Sequence, residues 1–236
     1  MDLSTVAVPH TLAYLAQLLP PPPARVLEVG CGRGALVAAL SELGYQVTGV
    51  DRDADMAAAA GERGVRVIQA DVHDVSGVYD IVLFTRSLHH AESLDSILAH
   101  AATLLAPGGQ IILEEFAWER VNRAAADFLH DNRALLVAAG LLDAEVPDGD
   151  PLDAWVSGHD FLHQGSAMLT ALRGLGTDLT TADTPMLWRL VDGSSAVWAE
   201  PANSAADSLN AVRTAEQRRI ADGSLPAIGF LASVRR

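Results

Sequence analysis

Lysine is absent from this chain. Its 16 basic residues are all arginines, set against 30 acidic ones across 236 residues, for a formal net charge of −14 at pH 7. The arginines are scattered, and only Arg218-Arg219 and Arg235-Arg236 sit together. Such a chain has no basic footprint for a phosphate backbone, which argues against nucleic acid as a partner and equally against an anionic membrane surface. Cysteine is nearly absent too. Cys31 alone permits no internal disulfide and fits a reducing compartment, so a cytoplasmic setting is expected. No apolar run is long enough to span a bilayer, and the N-terminus lacks the basic-then-apolar layout of a secretory signal. Half of the residues are hydrophobic, ample for the core of one α/β domain with an elaboration. Abundant alanine without lysine suits a GC-rich, bacterial genome.

What is present is concentrated at one place. Val26-Leu27-Glu28-Val29-Gly30-Cys31-Gly32-Arg33-Gly34-Ala35 reads as a short buried strand, a glycine-rich turn and the start of a helix. A parallel α/β sheet uses that geometry to bring backbone N–H groups against a nucleotide. About twenty residues on, Val47-Thr48-Gly49-Val50-Asp51 supplies a second strand ending in an acid placed to accept both hydroxyls of a ribose. Two adenine cofactors compete for this pattern. Gly30-x-Gly32-x-x-Ala35 satisfies the loose dinucleotide fingerprint, whereas Glu28-x-Gly30-x-Gly32-x-Gly34 is the turn written for S-adenosylmethionine. A pyrophosphate has no use for a carboxylate beneath it, and the methionine end of the other cofactor carries an ammonium that does. Glu28 therefore favours the sulfonium cofactor. Cys31, inside the turn, reads as a small residue packed beside the cofactor rather than as a nucleophile.

The following elements agree. Val65 to Val72 reads as a third strand followed by Asp71, suited to an adenine amino group, with Val72 beside the ring. Tyr79 to Phe84 is a fourth strand, followed by Thr85-Arg86-Ser87-Leu88-His89-His90. Leu104 to Leu113 closes a helix, turns on Pro107-Gly108-Gly109 and opens a fifth strand. With five motifs in this order over residues 20 to 116, the chain resembles the class I S-adenosylmethionine-dependent methyltransferases, in the small-molecule branch of the ubiquinone and menaquinone methyltransferases. The resemblance implies a Rossmann-like, doubly wound seven-stranded sheet whose last strand is antiparallel, with helical insertions forming a lid. It places Glu28, Gly30, Cys31, Gly32 and Gly34 at the methionine moiety, Asp51 at the ribose, and Asp71 and Val72 at the adenine. Thr85 falls at the cofactor's amino end and Arg52 along the adenine face.

Three segments are expected: residues 1–23, a helix started by Pro9 and a proline spacer; 24–116, the cofactor-binding core; and 117–236, lid helices that also complete the sheet of a single domain. Helices are expected at 33–43, 53–62, 93–105, 119–139 and 160–173, and from near Pro201 to Ile220. Thr177 to Val191 reads as the sixth strand and Ala227 to Val234 as the last. All four tryptophans, Trp118, Trp155, Trp188 and Trp198, follow the fifth strand. Trp118, Trp155 and His159 are candidates for an aromatic acceptor pocket, against the plainer reading that they pack inserted helices. The inserted apolar helices also offer a homodimer face.

A sulfonium methyl is already activated, so in-line alignment supplies much of the acceleration. A base is needed only for an acceptor protonated at neutral pH. His90 is the first candidate, beside Glu115, His130, His159 and His163, with His89 less favoured. Glu114 and Glu115 end the fifth strand and are expected on opposite faces, one buried and one solvated. His159 and His163 lack the ligand pattern of a metal site, so metal-independent transfer to a small-molecule acceptor, releasing S-adenosylhomocysteine, is expected. The alternatives are a non-catalytic S-adenosylmethionine-binding module and an NAD(P)-dependent oxidoreductase. The latter leaves Glu28 and Asp71 without a purpose.

Overall fold

The computed structural model describes residues 3–176, 178–193, 197–199 and 202–236. Its first half alternates strand and helix: α1 (Ser4–Leu15), β1 (Arg25–Val29), α2 (Ala35–Glu42), β2 (Gln46–Asp51), α3 (Ala54–Glu62), β3 (Val67–Gln69), β4 (Tyr79–Thr85), α4 (Leu94–Thr103) and β5 (Leu105–Phe116). The second half carries α5 (Arg123–Ala138), β6 (Leu142–Asp143), α6 (Pro151–Ser157), α7 (Gly165–Arg173), β7 (Thr180–Thr184), β8 (Val197–Trp198), α8 (Ala202–Ala221) and β9 (Gly229–Arg235).

Seven strands form one sheet in the order β3-β2-β1-β4-β5-β9-β7. Strands β1 to β5 run parallel, with Val29 opposite both Val50 and Phe84. Strand β9 is antiparallel to β5: Arg236 pairs with Gly109 while Ile228 accepts from Ala117, so the numbering runs in opposite directions. The strand order reverses at β1, where β2 leaves to one side and β4 to the other. The crevice at the carboxyl ends of β1 and β4 is where such sheets take their ligands. Apolar runs with no alternation, such as Ile81-Val82-Leu83-Phe84, all fully buried, fit strands covered on both faces.

The chain divides into two compact units. One comprises the described residues of His10–Glu115, His163–Ala182 and Leu231–Arg236 and holds β1 to β4 with their helices. The other comprises the described residues of Met1–Pro9, Phe116–Leu162 and Asp183–Phe230. Its core gathers Trp188 (fully buried), Trp155, Trp198, Phe128 and Leu209. There Glu216 of α8, with no solvent exposure, accepts the backbone N–H groups of Met186, Leu187 and Trp188 at 2.7 to 2.9 Å. A helix carboxylate thus caps the 3-10 turn at Leu187–Arg189, whose first N–H groups have no partner within the turn.

Several expectations are corrected. Pro9 lies inside α1 rather than at its first turn, at the expense of one i→i−4 bond. Pro107-Gly108-Gly109 does not separate helix from strand. It belongs to β5 as an outward step, the register jumping from Tyr79 opposite Leu105 to Ile81 opposite Gln110. The long helix starts at Arg123, capped by Asn122, because Trp118–Arg120 forms a 3-10 turn first. The helix expected from Asp160 begins at Gly165, so neither His159 nor His163 lies on it. Before it stands α6, which no expectation covered, capped by Asp150 and started by Pro151. The strand expected over 177–191 is confined to β7, followed by the Leu187–Arg189 turn, and Thr177 lies outside the described residues, as does Pro201. Strands β6 and β8 form a separate antiparallel ribbon, Leu142 opposite Trp198, outside every expected strand.

Candidate functional site

Strand β1 brings Gly30 to the wall of the crevice and buries Glu28 two residues before it. Gly30 has φ +71°, and a Cβ there would stand 2.5 Å from the Cβ of Ser87, so only glycine fits. The Gly30 N–H donates to the carbonyl of Val50 and the Gly32 N–H to Asp51 Oδ2, both at 2.8 Å, which ties the turn to the tip of β2. Asp51 Oδ1 accepts the Asp53 N–H at 3.0 Å. Gly34 caps α2 at φ +73°, where a Cβ would press on Ala60 and Val65. Its glycine is a packing requirement.

Glu28 is almost wholly buried. Its Oε1 accepts the Thr85 hydroxyl at 2.9 Å, and its Oε2, also buried, has no hydrogen-bond partner among the described residues. Burial pushes the carboxyl up to about 7, only partly offset by the Thr85 hydrogen bond and the Arg86 charge. Cys31 lies beneath the turn with Sγ where a Gly49 Cβ would be. Burial, with the nearby Glu28 and Asp51 carboxylates, raises its thiol to about 12, so it is no nucleophile at neutral pH.

A cavity of about 540 Å³ opens at this end of the sheet, within the range of small-molecule sites. Of the expected cofactor residues, Gly30, Asp51, Arg52, Asp71 and Val72 line it, as does His90. Glu28, Cys31, Gly32, Gly34 and Thr85 are not among its lining residues. Sequence reasoning missed Arg86, Ser87, His73 and the Ala91–Ile97 stretch on its wall. Ser87 carries no local signal in the sequence: its hydroxyl donates to the Val29 carbonyl at 2.6 Å, a partner 58 positions away.

Arg86 has φ +56°, the left-handed region that costs a non-glycine residue energy and gathers at functional sites. Its guanidinium donates to Glu114 Oε2 at 2.8 Å, and Thr11 on α1 donates to the same carboxylate at 3.0 Å. The expectation of one buried and one solvated glutamate is corrected: both Glu114 and Glu115 are fully buried. Glu115 accepts the Leu88 N–H and faces His89 Nδ1, each at 2.7 Å. Each carboxylate thus finds donors on its own face of β5. His89 is thereby a buried structural histidine, while His90 is exposed in the cavity, its ring 4.2 Å from that of His89. Partial burial, then the neighbouring His89, lower the affinity of His90 for a proton.

In the other unit, Trp155 and His159 stack at 3.7 Å, and Phe116 meets His159 edge-on at 6.1 Å. Trp155 Nε1 donates to the Trp118 carbonyl and Trp118 Nε1 to that of Leu162. His159 Nδ1 bonds the Trp155 carbonyl at 2.8 Å. These polar atoms are engaged by the unit's own backbone, and Trp155 is buried, so a packing role is met. Among the described residues no group of three His, Cys, Asp or Glu side chains is arranged to hold a metal ion, and no helix is long and apolar enough to cross a membrane.

Residues 6–161 match a family model described as a methyltransferase domain. Among curated proteins, the ubiquinone biosynthesis O-methyltransferase of Xanthomonas axonopodis pv. citri (strain 306) is 33% identical over 130 residues, covering 51% of this chain and 52% of the relative. Its counterpart from Xanthomonas campestris pv. campestris (strain B100) is 34% identical over 130 residues with the same coverage. The chain thus spans about half the length of the curated relatives it matches. Among solved structures, an S-adenosylmethionine dependent methyltransferase from Mesorhizobium loti superposes with TM-score 0.59 at 18% identity, over 95% of this chain and 96% of that one. The plantazolicin methyltransferase BpumL in complex with SAH gives TM-score 0.54 at 14% identity, over 99% and 83%. At these identities the likeness is one of fold.

Proposed function

The chain belongs to the methyltransferase-domain family, in its class I S-adenosylmethionine-dependent branch, and on that premise we propose that it transfers the methyl group of S-adenosylmethionine to a small apolar or aromatic metabolite. The observation that carries the cofactor reading is Glu28 Oε2, a buried carboxylate oxygen with no partner among the described residues under a glycine turn. An ammonium supplies both the donor and the charge that this oxygen lacks. A dinucleotide pyrophosphate would meet an acid instead, which disfavours the oxidoreductase reading.

When bound, the cofactor supplies a methyl group on a sulfonium centre, ready for displacement. The chain's own residues bind and orient. Glu28, steadied by Thr85, takes the ammonium; Asp51, held by the Gly32 and Asp53 N–H groups, takes the ribose hydroxyls. Asp71 and Val72 take the adenine, with Arg52 along its face, and the Gly30 turn leaves the approach clear. The Cys31 side chain fills the space beneath. Where the acceptor is a hydroxyl, His90 accepts its proton at a ring nitrogen, since partial burial favours the neutral ring, whose free nitrogen can take a proton. Residues 117–236 are assigned to acceptor selection, with Trp118, Trp155 and His159 as the aromatic elements. A metal-independent reaction, a cytoplasmic bacterial setting and a homodimer complete the proposal. Sedimentation of the purified chain tests the homodimer.

Incubation with S-adenosylmethionine and a panel of phenols, quinols and aliphatic acids, read by S-adenosylhomocysteine formation, tests the activity. Product that appears with an acceptor and falls at low cofactor concentration in Asp51→Ala supports it. No product with any acceptor, despite cofactor binding, favours a non-catalytic binding module.

A further inference from the structure

Ser96, in the first turn of α4, and His73, in the 3-10 turn Val72–Asp74 after β3, both line the cavity and have no part in the reading above. They stand in line with Asp71. His73 Nδ1 lies 2.7 Å from Asp71 Oδ1, and its Nε2 lies 3.0 Å from Ser96 Oγ. The proton positions follow from the chemistry of the groups. An ionised carboxylate only accepts, so Nδ1 carries the hydrogen, and Nε2 and the Ser96 hydroxyl share the second bond. The backbone N–H of His73 also donates to Asp71 Oδ1, at 2.9 Å, and these two bonds hold the carboxyl below its usual range and therefore ionised. Both end on Oδ1. Among the described residues no donor is recorded on Oδ2. The ring of His100 lies 5.3 Å from that of His73, and the Ser93 cap on the Ser96 N–H keeps the far end in place.

We propose that Ser96 and His73 form a brace that fixes the orientation of the Asp71 carboxylate, and that this brace sharpens the choice of a 6-amino purine over a 6-oxo purine. The inference rests on the reading of this cavity as the S-adenosylmethionine site. The Asp71 side chain is 51% exposed, and without the ring the His73 N–H alone would hold it, a single bond that leaves more freedom to turn and to bridge to a 6-oxo group through water. With the ring in place one oxygen is occupied and the other is left for a donor. A 6-oxo group then sets lone pairs against lone pairs, which is how a polar site rejects a near-isostere. The Ser–His–Asp connectivity matches that of a hydrolase triad, but here acid and imidazole stand about half in solvent, whereas a triad acid is buried. His73 is a positioning residue.

The test is calorimetric titration of the full chain with S-adenosylhomocysteine and its 6-oxo counterpart, S-inosylhomocysteine. The wild type is expected to prefer the amino ligand by at least about tenfold, as one hydrogen bond to a charged acceptor implies. His73→Leu, and to a smaller extent Ser96→Ala, bring that ratio toward one without altering thermal unfolding, since both side chains are exposed. His73→Asn, whose amide donates from near the Nδ1 position, retains the preference. A merely structural role would weaken both ligands together and leave the ratio untouched. A preference that survives His73→Leu overturns the brace, as does a wild type that binds both ligands equally while still binding the cofactor one-to-one. A wild type that binds neither takes the cofactor reading and this inference down together.

Discussion

Replacing Glu28 by glutamine separates two consequences of one buried carboxyl. In the free protein the group titrates at about 7 instead of 4.5, because it is wholly buried with one oxygen unpartnered. A carboxyl raised in the folded state holds its proton more tightly there than in the unfolded chain. Its contribution to stability is therefore complete below pH 4.5 and declines as pH rises through 7. The gap between the two values corresponds to about 3 kcal/mol. Glu28→Gln removes that decline, so denaturant unfolding at pH 8 should find the variant at least as stable as the wild type and its pH profile flatter. Ligand binding should move the other way. The variant loses an ammonium–carboxylate hydrogen bond, worth about 1.5–3 kcal/mol, and should bind S-adenosylhomocysteine roughly 10- to 150-fold more weakly. The wild type must release a proton on binding, about half of one at pH 7, measurable by calorimetry in buffers of different ionisation enthalpy. Its affinity should tighten about tenfold between pH 6 and pH 8. An unchanged dissociation constant in Glu28→Gln, with no proton released by the wild type, would refute the reasoning.

Asp51→Ala should weaken S-adenosylhomocysteine by about 1–3 kcal/mol in calorimetry, through the lost ribose contacts and a turn no longer tied by Gly32; undiminished affinity would remove Asp51 from the ribose. Gly30→Ala meets both a positive φ and the Ser87 side chain, so a thermal melt should show a loss of more than about 1 kcal/mol, and an unaltered melt would contradict the turn geometry. Cys31 should resist iodoacetamide at pH 8 in the folded protein and react promptly in denaturant, as mass spectrometry would record; fast native labelling would place the thiol outside its buried site. His90→Ala should keep the cofactor affinity and the melting temperature, and lower turnover only with acceptors that carry a proton at neutral pH. A fall in stability would make His90 structural instead.

The cofactor half of the fold was legible because its signals are local. An unbroken apolar run, three glycines at alternate positions and an acid at the next strand's end need only neighbouring residues to be understood. The second half carried no such punctuation. α6 was hidden in an acidic, proline-bearing stretch that also reads as loop, and β6 and β8 are too short to show any period. At the site, the residues that escaped sequence reasoning are those defined by distant partners. Glu114 is buried because Arg86 and Thr11 reach it, the latter from 103 positions away, and nothing at Glu114 itself announces either. Arg86 occupies a conformation that its residue type disfavours, so propensity argued the opposite. For Trp118 and Trp155, the partners of Nε1 are carbonyls that only the folded chain supplies.

The central claim is that this chain binds S-adenosylmethionine through the Glu28–Gly30–Asp51 corner of its sheet. Titration of the whole protein with S-adenosylhomocysteine, alongside NAD under the same conditions, tests it most directly. The account predicts saturable one-to-one binding of S-adenosylhomocysteine and no heat from NAD. Binding of NAD alone would contradict it.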